Sequence, residues 1–243
     1  MDLSIVIPVY NEQEKIREDI AAASAFLSEN GLTGEIIVVD DGSTDQTAEV
    51  VNKTVVNDNV SLKLVNLDKH TGKGLAVKTG VLQAAGNRIM FIDSGHCVPY
   101  SCILKGFVLL NKNDCLIAHG SRFHPESVIK RPMKLSRKLT SFLFRKYIHI
   151  RSPIPKELKD TQCGLKIYEG GIARELYSEC ITDGFMFDIE IILRARRKDY
   201  SIMEFPVVWS SDPDSRLSAA AALFRIFREL RLIRKAMRDY GES

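Results

Sequence analysis

Two stretches of this chain set four apolar residues in a row directly before a carboxylate: Ile36-Ile37-Val38-Val39-Asp40 and Ile89-Met90-Phe91-Ile92-Asp93. A run that is apolar at every position has no polar outer face. It reads as a strand covered on both sides, as in a parallel sheet with helices above and below. In open sheets of that kind ligands bind outside the C-terminal ends of the strands. Asp40 and Asp93 stand at two such ends. The second stretch, which continues Ser94-Gly95-His96, is where chemistry is expected first.

The rest of the chain fits around these strands. Leu3 to Val9 is rich in β-branched residues and reads as a first strand. Asn11 with Glu14, and Ser43 with Gln46, have capping-box spacing. They predict helices over about 12–29 and 44–57. A third strand is expected at 60–67, a helix from the glycine-rich 70–74 to about 85, a helix near 100–111 and a strand at 114–119. The alternation argues for a mostly parallel sheet with helices on both faces. Farther on, the pattern predicts a helix over 133–149, a strand at 165–168, helices at 170–180 and 186–198, a strand at 201–208 and a final helix over 217–239. One domain of about 1–216 followed by a basic amphipathic helix, 217–243, is the expected division.

Charge is unevenly spread. The net formal charge is only +3, yet segment 131–151 holds seven basic and no acidic residues, and segment 216–238 seven basic and one acidic. An acidic body with two basic stretches points to an anionic substrate or surface. No nucleic-acid-binding motif accompanies them. The five cysteines are odd in number and lack CxxC spacing, which predicts reduced, buried thiols in the cytosol. The first strand begins within three residues of Met1, so no signal peptide is expected. No apolar run approaches the roughly 18 residues of a membrane span.

Taken singly, the candidate motifs have ordinary explanations. Val39-Asp40-Asp41-Gly42-Ser43 can be a turn and a cap. It can equally present carboxylates to a ribose or base, with helix N-terminal N–H groups for phosphate. His70-Thr71-Gly72-Lys73-Gly74 has neither P-loop nor dinucleotide-fingerprint spacing.

Together they are more specific. Pro8-Val9-Tyr10-Asn11-Glu12, Val39 to Asp45, Gly72-Lys73-Gly74 and the strand ending at Asp93 resemble the nucleotide-sugar half of family 2 glycosyltransferases. Gly120-Ser121-Arg122-Phe123, Asp160-Thr161-Gln162-Cys163-Gly164-Leu165-Lys166, Phe187-Asp188-Ile189-Glu190, Val208-Trp209 and Ser215-Arg216-Leu217 resemble the branch that glycosylates polyprenyl phosphates. That branch includes the dolichyl-phosphate β-glucosyltransferases and dolichol-phosphate mannosyltransferases. The resemblance spans about residues 3–217. It implies a GT-A fold, with a mostly parallel Rossmann-like α/β sheet, and an inverting reaction. It assigns Pro8, Tyr10, Glu12 and Asp40 or Asp41 to the nucleoside, and places Lys73 near that site. Asp93 opens the family's Asp-x-Asp motif and would hold Mg2+ or Mn2+. Arg122 and Arg131 would hold phosphates of donor and acceptor, and Ser215 and Arg216 the lipid phosphate. Asp160 and Asp188 fall on the acceptor side, as catalytic acids that orient a sugar hydroxyl or as a turn cap and a helix start.

The sequence departs from the pattern at the metal motif. Gly95 stands where the second aspartate belongs and Cys97 where relatives often place another oxygen ligand. Hard divalent ions want oxygen donors. His96 could add a nitrogen or simply be solvated. Weak metal binding, metal-free catalysis through basic side chains, and loss of activity are the alternatives.

The reading that follows is a peripheral, cytoplasm-facing inverting hexosyltransferase. It uses a nucleotide sugar, UDP-glucose ahead of GDP-mannose, and a polyprenyl phosphate at an anionic membrane surface. The rivals are a soluble family 2 transferase acting on a saccharide, and a non-catalytic relative that binds nucleotide sugar or membrane. The basic amphipathic stretches can lie on anionic lipid. They can equally pack on the protein's own core or on a second copy of the chain.

Overall fold

The computed structural model describes residues 1–132, 135–211 and 219–239. Nine strands and eight α-helices are present among them. The first half runs β1 (Leu3–Val9), α1 (Ile16–Glu29), β2 (Gly34–Asp40), α2 (Thr47–Asn52), β3 (Val60–Asn66), α3 (Lys73–Gln83), β4 (Arg88–Ile92) and α4 (Ile103–Asn111), the last entered through a short 3-10 turn at Tyr100–Cys102. Then come β5 (Ile117–Ser121), β6 (Val128–Arg131), α5 (Leu135–Arg151), β7 (Leu165–Glu169), α6 (Gly170–Glu179), α7 (Phe187–Arg197), β8 (Ile202–Pro206), β9 (Val208–Ser210) and α8 (Ala219–Asp239).

Seven strands form one sheet in the order β3-β2-β1-β4-β7-β5-β8, in which β7 alone runs antiparallel. The two runs that are apolar at every position, β2 and β4, lie inside it and are buried nearly throughout. Chain order reverses between β1 and β4, which opens a crevice at the strands' C-terminal ends. β6 and β9 make a separate parallel pair.

One face of the sheet packs Ile5, Ile7, Ile36, Val38, Met90 and Ile92 against α1, α2 and α4. The other packs Val6, Ile37, Val39, Ile89 and Phe91 against α3, α6 and α7. Gly80 lets α3 lie close on the sheet: a Cβ there would meet Val6 Cγ1 at 2.4 Å. A third cluster joins α5, α7 and α8 through Ile148, Ile189, Ile192, Leu230 and Ile233.

Two expected helix starts fall later than the sequence implies. α1 begins at Ile16 and α2 at Thr47, and neither has a side-chain cap. Of the residues with capping-box spacing, Asn11, Ser43 and Gln46 bond between loops instead. Asn11 N donates to Ser43 Oγ, Thr44 N to Asn11 Oδ1, Glu12 N to Thr47 Oγ1 and Gln46 N to Gln13 Oε1. Polar side chains, the expected caps Asn11 and Ser43 among them, tie the β1–α1 loop to the β2–α2 loop, 2.8–2.9 Å per bond. β6 was not expected from sequence; its four residues are all exposed, so it carries no buried periodicity.

Candidate active site

All the parallel strands of the main sheet end on one side, where β7 begins. Asp93 stands at the centre of that edge. Its backbone N–H donates to Gly164 O at 2.9 Å, and its Oδ1 lies 2.5 Å from Lys73 Nζ. Gly164 must be glycine, since a Cβ there would lie 2.0 Å from Asp93 Oδ2.

Lys73 is delivered by the Gly72-Lys73-Gly74 sequence. The Gly72 φ of +142° is one that side chains rarely adopt, and Cβ atoms on Gly72 and Gly74 would meet the carbonyl oxygens of Asp183 and Gly184 at 2.6 Å. The glycines let the start of α3 seat against that backbone and swing Lys73 toward β4. Its ammonium also lies over the rings of Phe91, at 5.4 Å, and Phe187, at 5.8 Å. Burial works against its charge, but the Asp93 and Asp188 carboxylates outweigh it and hold the Lys73 pKa above its ordinary value.

The Asp160-to-Lys166 segment builds the other wall. Arg122, just beyond β5, binds Asp160 with Nε to Oδ2 and Nη2 to Oδ1, both 2.7 Å. Burial pushes the Asp160 carboxyl up, yet Arg122 prevails and holds it below the usual range. Lys166 Nζ donates to Asp188 Oδ1 at 2.6 Å and to Cys163 O at 3.0 Å. Gln162 reaches Asp188 Oδ2 at 3.5 Å. Asp188 differs from Asp160: burial raises its pKa above the ordinary value despite Lys166 and Lys73. Asp160 and Asp188 are both buried, whereas the Asp93 side chain is 37% exposed.

The residues expected at the nucleoside cluster at the ends of β1 and β2. Pro8 is paired in register with Val39. Tyr10 stacks on His70, ring centroids 3.9 Å apart. Glu12 lies 3.8 Å from Lys15. Asp40 accepts from Ser43 N at 2.9 Å. Asp41 accepts from Thr71 N and Gly72 N, both at 2.8 Å, and lies 2.8 Å from His70 Nδ1. The structure thus gives Asp41 the work of shaping the loop that carries Lys73. Arg131 is exposed at the end of β6. Ser215 and Arg216 lie outside the described residues.

Sequence reasoning missed Arg225 and Glu229. Arg225 on α8 donates to Thr71 O at 2.5 Å and to Glu229 at 2.9 Å, and Glu229 accepts from Met186 N at 3.2 Å. An acid among α8's basic residues was the available signal.

The donor set does not match a divalent-cation cage. Gly95 N, at 2.9 Å, and His96 N, at 3.2 Å, donate to the buried Asp19 carboxylate of α1. His96 Nδ1 is 3.7 Å from the same group. Among the described residues, no three His, Cys, Asp or Glu side chains converge as ligands. Asp93 offers one carboxylate, already paired with an ammonium, so most of the oxygens around a hard ion would have to come from the donor diphosphate and water.

A strand-end crevice of this topology, with an acid after β4 and cations around it, is the architecture of the GT-A fold of glycosyltransferases. The chain belongs to the Glycosyl transferase family 2, whose model matches residues 4–175, and is a glycosyltransferase. It is 32% identical to the dolichyl-phosphate β-glucosyltransferase of Saccharomyces cerevisiae, over 96% of this chain and 74% of that one. Mannosyl-3-phosphoglycerate synthase from Rubrobacter xylanophilus superposes with a TM-score of 0.72 at 16% identity, covering 100% of this chain and 76% of that one. Glucosyl-3-phosphoglycerate synthase from Mycobacterium tuberculosis, crystallised with Mn2+ and UDP-glucose, gives 0.70 at 18% identity, covering 96% and 78%. The family and fold expected from the motifs are those found.

Proposed function

We propose that this glycosyltransferase moves glucose from UDP-glucose, in preference to mannose from GDP-mannose, to the phosphate of a polyprenyl lipid with inversion at C1. The observation that carries this reading is the likeness to the yeast dolichyl-phosphate β-glucosyltransferase along nearly the whole chain. The site suits the chemistry. A phosphate monoester has a second pKa of about 6, so the acceptor arrives ionised and needs no strong base. The protein has to align it with C1 and stabilise the leaving diphosphate. Lys73 supplies fixed positive charge at Asp93, and Arg122, held on Asp160 at the end of β5, adds a second cation to that edge of the sheet. Tyr10, Asp40, Asp41, Pro8 and Glu12 form the surroundings of the nucleoside. Asp160 and Asp188 position the cations and the β7 entry, and Arg131, Ser215 and Arg216 receive the lipid phosphate.

The acceptor's tail calls for a membrane surface, and the helices beside the site offer one. Phe142, Leu143 and Ile150 of α5 are exposed, as are Phe227 and Leu232 of α8. The two helices meet where Tyr147 packs edge-on against Phe227, centroids 5.6 Å apart. Exposed Arg228, Arg231, Lys235 and Arg238 line α8. Apolar side chains among cations fit the headgroup layer of an anionic membrane. Among the described residues no helix is long and apolar enough to cross a membrane. All five cysteines are free thiols, which fits the cytoplasmic side.

The test is transfer of labelled glucose from UDP-glucose to vesicles carrying dolichyl or undecaprenyl phosphate, with GDP-mannose and 3-phosphoglycerate as competing donor and acceptor. A chloroform-soluble glucosyl product is expected. Label appearing only on phosphoglycerate or on a saccharide would overturn the lipid acceptor.

A further inference from the structure

The position where a second acidic ligand would stand is built into a different arrangement. Gly95 and His96 have φ of +85° and +51°, two left-handed residues in succession. That geometry turns both backbone N–H groups toward Asp19, which is 3% exposed. The loop after β4 is thereby fastened to α1. A side chain at residue 95 would be strained by the backbone alone.

The positive charge at Asp93 is meanwhile supplied by the chain itself. Three cations, Lys73, Arg122 and Lys166, each pair with one acid, Asp93, Asp160 and Asp188. The latter two pairs are closed. Arg122 spends both arms on Asp160, and Lys166 and Asp188 are nearly inaccessible, at 1% and 6% side-chain exposure. The Lys73–Asp93 pair is the open one, with side chains 19% and 37% exposed. An ammonium has three N–H donors, and Asp93 Oδ1 takes one. The Phe91 and Phe187 rings lie 5.4 and 5.8 Å from the ammonium, so an oxyanion entering on the open side of the pair meets Lys73 Nζ.

Building on the donor reading above, we infer that Lys73 takes the place of a divalent cation at the leaving diphosphate, and that donor binding and transfer here need no added metal. An oxygen of the lipid phosphate forms the new bond to C1 as the bond from C1 to the β-phosphate oxygen breaks. The bonding pair leaves with the nucleoside diphosphate. No proton moves, and Lys73 stays an ammonium throughout, donating N–H bonds to the oxygens on which charge accumulates.

Calorimetry with UDP and GDP, in EDTA and in Mn2+, tests the inference on the full chain, alongside vesicle transfer in the same buffers. The wild type is expected to bind UDP and to turn over equally in both buffers, within about threefold. K73M should bind UDP about tenfold or more weakly in both and lose about 100-fold in kcat. K73R should recover part of each, since it keeps the charge with a different shape. If K73M does not fold, the wild-type comparison between buffers decides. Wild-type binding or transfer that rises tenfold or more with Mn2+ overturns the inference and leaves the donor reading standing. An unaltered K73M overturns it too. Binding of neither nucleotide in either buffer overturns both.

Discussion

Arg122 and Asp160 face each other in a fork: two side-chain hydrogen bonds of 2.7 Å, with the backbone N–H of Arg122 adding a third at 2.9 Å. The pair joins the end of β5 to the segment that leads into β7, and Trp209 lies under the guanidinium at 5.4 Å. Removing one partner of a buried pair strands the other charge, which costs about 3–5 kcal/mol. D160A should lower unfolding free energy by about that amount in a urea melt. R122K, which cannot make the fork, should fall between wild type and D160A and should also weaken transfer.

The same pair sets an acid limit. The native carboxyl of Asp160 titrates below its ordinary value of 3.8, because Arg122 overcomes the effect of burial. A depressed carboxylate contributes stability that is fully present above the unfolded-state pKa and is lost as pH falls through the native one. The stability gap between wild type and D160N should therefore be constant above about pH 4 and narrow below it. Urea midpoints at pH 7, 5, 4 and 3 measure this. A gap that keeps the same width down to pH 3 would remove Asp160 as the titrating group.

Much of this arrangement was legible in the chain. Runs such as Ile36 to Val39 have one physical solution, a strand buried on both faces, and each ends where the carboxylate is needed. What could not be read is which polar group bonds to which. Asn11, Ser43 and Gln46 are cap residues by local spacing, yet they bond across some 32 positions of chain because the sheet sets the two loops side by side. Asp19 was invisible for the same reason. Within α1 it looks like an ordinary first-turn acid, and only the packing of α1 under the β4 loop brings it to Gly95. Gly95 itself was read as a missing ligand, and the structure adds that its positive φ is used.

Gly164 gives a direct handle on the site. A methyl group there would overlap the Asp93 carboxylate, with both oxygens within 2.8 Å of the new carbon. G164A should fold, since residue 164 lies at a loop-to-strand entry rather than inside a helix. It should displace Asp93 from Lys73 and lower kcat for transfer by about 100-fold, as expected when a positioned charge is misplaced by an ångström. Thermal melting and transfer rate on the same sample separate the two effects. A variant that stays active at wild-type rate would show that Asp93 need not sit where it does.

His119, in the middle of β5, is 1% exposed, and neither ring nitrogen has a hydrogen-bond partner. Its ring meets Tyr168 edge-on at 6.2 Å. Burial, helped by the nearby Lys166 charge, holds its pKa well below the ordinary 6.5, so the native imidazole is neutral. A buried polar group without a partner costs about 1–3 kcal/mol, and an apolar side chain of similar size removes that cost. H119L should therefore be more stable than wild type at pH 7, by about 1 kcal/mol after some loss of ring packing. The advantage should widen with acid. The unfolded wild-type chain takes up a proton on His119 below pH 6.5 and the native chain does not, so stability carried by the neutral form is lost as pH falls. Urea midpoints of both proteins at pH 7.5, 6.5 and 5.5 check the sign. A difference that shrinks toward pH 5.5 would mean that the native imidazole accepts the proton, and therefore has a polar partner on β5 or β7.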